Sequence, residues 1–392
     1  MSVPRTMPLD RPVLLDPPPG YAELRSSEPV AKVIMPGGGE AWLFTRYDDV
    51  RTIMADTRFG VIPPGTDTTG NPTLAQDGDG HRRLRRLVSR VFTMPRMVGL
   101  EPRVRALADE LVHAVIAAGP GVDLVAALSR PLPLTVISEI LGVRVEDRDE
   151  FQTWVEAANA LVVPVDDPEK VAEYAALGQE LWNHVAALVT DRRAHPGDDM
   201  LSDMIRGQDT DSDRLNEAEL VVTVITLLTT GYLTTANALS AGVIELATHH
   251  RFGELADDPD RIEHAVEEVL RRQTGPGNEA LPRWAQVDLE LAGTSIRAGD
   301  MVLARLEAAN HDPARFPDPD RFDPSRTANP HLAFGYGRHH CLGAILARIE
   351  LRAAVAALAA RCPNLTLCCA PQDVPWTGHP FDDGPARIPV AW

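Results

Sequence analysis

Cysteine is scarce in this 392-residue chain: Cys341, Cys362, Cys368 and Cys369 are the whole complement, all beyond position 340. Four thiols so few and so clustered exclude a disulfide framework and fit a reducing cytoplasm. The adjacent Cys368 and Cys369 lack metal-ligand spacing and read as ordinary residues of a β region. Basic charge is also in deficit, with 38 Lys and Arg against 56 Asp and Glu and a formal net charge of −18. Non-specific nucleic-acid binding, which needs a basic face, is excluded on that ground. Nowhere do eighteen apolar residues run unbroken, and the stretch from Met1 to Pro8 holds no continuous apolar segment. Neither a membrane anchor nor a secretion signal is therefore expected. Internal repeats, low-complexity tracts and linkers are missing too, so one globular body over 1–392 is expected, although the length exceeds the usual size for one core.

What is present is mostly helical patterning. A short helix is predicted over Tyr21 to Pro29, then two strands, Val30 to Met35 and Ala41 to Phe44, separated by Gly37-Gly38-Gly39. The proline-, glycine- and threonine-rich run from Phe59 to Asn71 is a loop. Helical periodicity dominates from His81, through Val125 to Leu141, Val171 to Arg193 and Asn216 to His249. Asp258 to Arg272 is a further helix with Pro259 near its start. Strands return at Leu289 to Leu291 and Met301 to Leu306, followed by an irregular stretch from Asp312 to Pro330 and a last helix over Leu342 to Arg361.

The densest signal is Phe334-Gly335-Tyr336-Gly337-Arg338-His339-His340-Cys341-Leu342-Gly343. Glycines at 335 and 337 allow a tight turn and close approach of the backbone to a flat ligand. Backbone N–H groups and the positive end of the following helix favour a thiolate at Cys341, a soft ligand for iron. The spacing Phe-Gly-x-Gly-x-His-x-Cys-x-Gly resembles the haem-binding signature of the cytochrome P450 superfamily, and the order of helices and small sheets resembles it from end to end. The resemblance implies a mainly α fold with a small β-rich part, haem b buried between the central oxygen-activating helix and the cysteine loop, and Cys341 as the iron ligand.

Further segments match the same family. Glu268 and Arg271, three residues apart on one helix face, resemble its Glu-x-x-Arg pattern. Arg326, in Phe322-Asp323-Pro324-Ser325-Arg326, resembles the arginine that completes a buried structural network with them. His81 and Arg85 fall on one face of a helix. With Arg283, His339, Phe334 and Gly335 they occupy the family's places for haem and propionate contacts, although the usual Pro-Glu-His before that helix is here Gly78-Asp79-Gly80-His81. Leu228-Thr229-Thr230-Gly231-Tyr232-Leu233-Thr234-Thr235-Ala236-Asn237 resembles the oxygen-activating helix. Gly231, costly in mid-helix, has two readings: a locally widened turn that admits oxygen and water, or a packing glycine. Thr234 matches the catalytic alcohol that relays protons to the oxygen being activated. Leu233 stands where an acid is usual, which leaves water held by Thr234, or a polar group of the substrate, to deliver protons. Thr229, Thr230 and Thr235 are read as back-bonded and given no role.

By the same resemblance the substrate is lined by the Phe59 to Asn71 loop, Tyr232, Leu233, the turn Pro276 to Leu281 with Asn278, Glu279 and Ala280, and the stretch Trp376 to Phe381 with Trp376 and His379. Several segments, among them Tyr21 to Arg25, Glu40 to Leu43, Leu281-Pro282-Arg283 and the ending Ala391-Trp392, are similar to mycocyclosin synthase-like members, which couple two tyrosine rings of a cyclic dipeptide. The function implied is oxidative tailoring of a peptide- or amino-acid-derived natural product in secondary metabolism, by hydroxylation or aromatic coupling. The alternatives are hydroxylation of a macrolide or polyketide, a peroxide-driven enzyme, and a non-catalytic haem-thiolate sensor. Electrons are expected from NAD(P)H through a ferredoxin reductase and a ferredoxin. The ferredoxin would meet a basic patch of Arg82, Arg83, Arg86, Arg338, Arg348 and Arg352, or these are solvated helix cations. A cytoplasmic monomer is expected.

Overall fold

The computed structural model describes residues 5–36, 38–143, 148–160, 168–206, 214–272, 282–377 and 383–392. In chain order the helices described are α1 Pro19–Ser27, α2 Tyr47–Ala55, α3 Gly78–Ser89, α4 Met94–Ala118, α5 Pro131–Leu141, α6 Arg148–Ala160, α7 Pro168–Ala194, α8 Met200–Arg206, α9 Glu217–Thr248, α10 Phe252–Asp257, α11 Ile262–Arg272, α12 Leu306–Asn310 and α13 Ala344–Arg361. The strands are β1 Arg5–Thr6, β2 Val30–Ile34, β3 Glu40–Phe44, β4 Phe59–Gly60, β5 Arg283–Ala285, β6 Leu289–Leu291, β7 Thr294–Ile296, β8 Met301–Ala304, β9 Thr366–Leu367 and β10 Val390–Ala391. The fold is thus mainly α with a small β part. The chain divides into two compact units, one of residues 1–71, 75–78 and 263–341 and the other of 72–74, 79–262 and 342–392.

The first unit is built on a six-stranded sheet in the order β1-β2-β3-β8-β5-β4. Strand alternation puts Ala31 and Val33 of β2 inward, where they meet Tyr21 and Leu24 of α1, Leu43 and Leu303, while Lys32 points to solvent. Strand β8 ends at Ala304, earlier than the predicted Leu306, because Leu306 opens α12, whose Ala309 N–H already bonds Arg305 O. Helix α2 buries Tyr47, Val50, Ile53 and Met54, one face of a 3.6-residue period, in a second cluster with Phe316 and Leu332.

The second unit is a helical body around α9. Asn216 and Glu219 form a reciprocal capping box at its N-terminus. Of the described helices, α9 alone is long and apolar enough to cross a membrane, but it is a core helix, packed by α5, α7 and α13. The predicted helix from Val125 to Leu141 is broken in two. A π turn over Val125–Ser129, with Arg130 N–H bonded to Val125 O, precedes Pro131, which has no N–H to continue the ladder and so opens α5. The helix predicted from Asp258 likewise begins as a 3₁₀ turn, Pro259–Arg261, before α11.

Candidate functional site

In the first unit the cysteine loop is held by backbone bonds of its own. Gly335 N–H donates to Leu332 O (2.8 Å) and Cys341 N–H returns to Phe334 O (2.9 Å), closing a loop around a 3₁₀ turn at Gly337–His339. Cys341 itself is exposed. Both Gly335 and Gly337 have left-handed backbones, with φ of 70° and 75°. A Cβ at Gly337 would lie 2.6 Å from Met54 O and 2.9 Å from Ala55 Cα, so this glycine admits the backbone of α2. The Phe334 ring lies tilted against His331 and His340.

Behind the loop lies a buried ionic network. Arg271 grips Glu268 through two bonds, Nε to Oε2 (2.8 Å) and Nη2 to Oε1 (2.9 Å), and both side chains are fully buried. Arg326 Nε lies 3.3 Å from Glu268 Oε2, and Asp323 N–H and the Asn329 amide also donate to the same carboxylate. The third Arg271 nitrogen donates to Asn310 O (2.7 Å), and the Asn310 side chain accepts from Leu332 N–H (2.7 Å). Fixed charge therefore reaches the start of the cysteine loop through one buried asparagine. Sequence reasoning missed Asn310 and Asn329, because nothing local marks an asparagine as part of a long-range network.

The cations of this unit converge on an acid that the sequence reading passed over. Arg283 of β5 is buried, and its guanidinium pKa is lowered to about 10 by that burial, against the pull of Asp77 and with the push of Arg338. His339 Nε2 donates to Asp77 Oδ1 (3.0 Å), as do Arg338 Nη2 (3.0 Å) and Nε (3.2 Å). Val61 N–H donates to the other carboxylate oxygen (2.6 Å). Burial opposes ionisation of Asp77, but the bonds from His339, Val61 and Arg338 outweigh it and hold the carboxyl well below its ordinary range. Arg338 also donates to Asp56 O and Phe59 O. This corrects its expected place in a docking patch, since its guanidinium is tied into the first unit.

In the second unit, α3 carries His81, which is buried, and Arg85 one turn later. Arg83 of the expected patch is bonded to Glu219 Oε1 (2.7 Å), and Arg82 pairs with Asp79. Helix α9 is regular α through Gly231, without a widened turn. A Cβ there would meet Ile137 Cδ1 of α5 at 3.5 Å, an ordinary contact, so close packing does not require this glycine either. Thr234 is half-buried and donates to Thr230 O (2.6 Å), while Thr230 and Thr226 donate one turn further back in the same manner. Thr226, Thr230, Leu233, Thr234 and Asn237 form a stripe of accessible side chains on a helix that is otherwise largely buried. Tyr232 is not on it. Its ring is fully buried and its hydroxyl donates to Glu156 Oε1 of α6 (3.4 Å), which corrects its expected substrate contact. Trp376 bridges Pro385, and Thr377 N–H donates to Gly384 O. Gly384 lies so close to Asn237 that no Cβ fits, which puts this bridged C-terminal pair against α9 three residues beyond Thr234. Asn278, Glu279, Ala280 and His379 lie outside the described residues.

The cytochrome P450 family model matches residues 33–254 and 262–363. Cytochrome P450 monooxygenase PikC of Streptomyces venezuelae is 41% identical over 387 residues, covering 96% of this chain and 91% of that protein. Mycinamicin IV hydroxylase/epoxidase of Micromonospora griseorubida is 40% identical over 382 residues, covering 95% and 94%. The crystal structure of cytochrome P450mel 107F1, with biaryl coupling reactivity, superposes with a TM-score of 0.89 at 34% identity over the whole of both chains. The chain belongs to the cytochrome P450 family. It is a P450 monooxygenase, with the haem-thiolate cofactor that this family carries. The donor chemistry fits that group: an accessible thiol for the iron and, in the same unit, the buried Arg283 and the half-buried His339, a guanidinium and an imidazole suited to carboxylates.

Proposed function

We propose that this monooxygenase tailors a peptide- or amino-acid-derived natural product in secondary metabolism, by hydroxylation or aromatic coupling, and that residues 1–392 work as a single P450 domain in the cytoplasm. The single-domain reading rests on the family match, which runs through both compact units. The observation that carries the chemistry is Cys341, an accessible thiol at the end of a loop anchored through Asn310 to the Glu268–Arg271 pair. Bound haem supplies the activation of dioxygen. The chain's own residues hold it: Cys341 as the iron ligand, with Arg283, His339, His81 and Arg85 toward the propionates. Thr234 places a hydroxyl on the accessible stripe of α9. That hydroxyl donates to Thr230 O, leaving its oxygen as an acceptor to fix a water, which serves the proton role that Leu233 cannot. The mixed threonine, leucine and asparagine stripe suits a substrate with amide or hydroxyl groups. Electrons come from a ferredoxin and its reductase, with Arg348 and Arg352, one turn apart on α13, as its docking cations.

A second reading, hydroxylation of a macrolide or polyketide, is favoured by the similarity to the mycinamicin IV hydroxylase/epoxidase and to the polyketide biosynthesis cytochrome P450 PksS of Bacillus subtilis. Reconstitution with ferredoxin, reductase and NADPH on pooled aromatic cyclic dipeptides and polyketides, read by mass spectrometry, separates the two. Loss of two hydrogens from a dipeptide supports coupling and gain of one oxygen supports hydroxylation. Turnover of polyketides alone overturns the peptide reading.

A further inference from the structure

The carboxylate of Asp77 accepts four hydrogen bonds, from His339, twice from Arg338 and from Val61 N–H, at 2.6 to 3.2 Å. Its pocket is shaped for it. A Cβ at Gly60 of β4 would sit 2.8 Å from Asp77 Oδ2 and would also strike the Gln286 amide, so only glycine at 60 leaves room for the acid. The positive charges of Arg283 and Arg338 act on one another and on Asp77, the carboxylate that faces this group of cations. Arg338 and His339 lie three and two residues before Cys341.

We propose that Asp77 is a positioning residue for the haem. It orients His339 toward a propionate, ties the cysteine loop to β4 through Arg338, and adds a fixed negative charge that lowers the haem's reduction potential and slows its release. This rests on the haem-thiolate reading of the site. The physical argument has two parts. An imidazole whose one nitrogen is held by a carboxylate has its ring plane and tautomer set, leaving the other nitrogen directed elsewhere. A partly buried anion beside cations that serve propionates disfavours addition of an electron to the haem, because poorly solvated charges interact strongly.

The test uses the haem-loaded protein and compares Asp77→Asn, Asp77→Glu, Gly60→Ala and, as a control, Asp79→Asn, an exposed acid two residues away. Midpoint potential is measured by spectroelectrochemistry and haem release by transfer to excess apomyoglobin. Asp77→Asn should shift the reduced-to-oxidised ratio toward the reduced form by about threefold to tenfold at fixed applied potential, tenfold being 59 mV for one electron. It should also release haem several-fold faster. Gly60→Ala keeps every charge and displaces the acid, so it should speed release with a smaller shift in potential. Asp79→Asn should change neither. Asp77→Asn within twofold of wild type in both measurements overturns the proposal. If Asp77→Asn does not load haem, Asp77→Glu and Gly60→Ala decide it: faster release supports the role, and unchanged release overturns it. A wild-type protein whose ferrous carbon monoxide complex lacks the thiolate spectrum would instead sink the haem-thiolate reading itself.

Discussion

Replacing Arg271 by methionine separates a buried charge network from an ordinary helix ion pair. The guanidinium makes two bonds to Glu268 and one to Asn310 O, and lies 5.3 Å from the centroid of the Phe316 ring. Methionine replaces most of the apolar stem. It leaves Glu268, fully buried, with only Arg326, Asp323 N–H and the Asn329 amide. Removing one partner of a buried pair costs roughly 3–5 kcal/mol, because the survivor keeps its desolvation penalty without its counter-charge. The Lys32–Glu40 pair has the same charges at 2.9 Å but is more than half exposed, and Lys32→Met should cost under about 1 kcal/mol. At a urea dependence of roughly 3 kcal/mol/M, the Arg271 variant's midpoint should fall by roughly 1–1.7 M. The assay is urea unfolding of the haem-loaded protein, with circular dichroism and haem absorbance read on the same samples. The haem signal should be lost at lower urea than the helical signal, since Asn310 hands the network on to Leu332 at the root of the cysteine loop. The double variant Glu268→Gln/Arg271→Met should recover part of the loss by removing the stranded charge. A midpoint for Arg271→Met within about 0.3 M of wild type would refute the reasoning.

Gly337→Ala places a Cβ 2.6 Å from Met54 O at φ 75°, so it should cost roughly 1–3 kcal/mol and lower the haem-loaded fraction on purification, read as the absorbance ratio of haem to protein. Gly231→Ala should behave in the opposite way, stabilising by roughly 0.5–1 kcal/mol in urea melts, because its Cβ meets Ile137 at an ordinary distance. Destabilisation there would revive the widened turn. His311 is held neutral in the fold, its pKa lowered to about 3 by burial and by the charge of Arg271. The unfolded chain therefore binds the extra proton: this stability is complete above about pH 6.5, is reduced by ~2 kcal/mol at about pH 5 and goes on falling toward pH 3. His311→Asn should flatten the slope of unfolding free energy between about pH 6.5 and 4, and an unchanged slope would place the titrating group elsewhere.

The legible parts of this protein are those in which neighbours in sequence are also neighbours in function. The cysteine loop is one, because its glycines, its 3₁₀ turn and Cys341 fall within ten residues and their spacing is their geometry. Helix α9 is another, with its capping box and long apolar period. Glu268 and Arg271 share a helix face by a spacing that any reader of the chain can count. Where a single residue breaks the regularity, as Pro131 does by withholding an N–H from the ladder, the predicted helix keeps its outer limits but divides into a π turn and α5.

What only the tertiary structure decided is which long-range partner each side chain meets. Tyr232 and Thr234 are two positions apart on one helix, yet packing against α6 buries the first and leaves the second accessible. Arg338 reads as a free cation until β4 and the start of α3 bring Phe59 O and Asp77 to it. Asp77 has no motif of its own, because its partners lie 16 and 261 to 262 residues away. Periodicity and spacing report the conformation of a few consecutive residues, whereas a hydrogen bond across such separations exists only once the chain has closed on itself, and there Asp77 takes its place beside the cysteine loop.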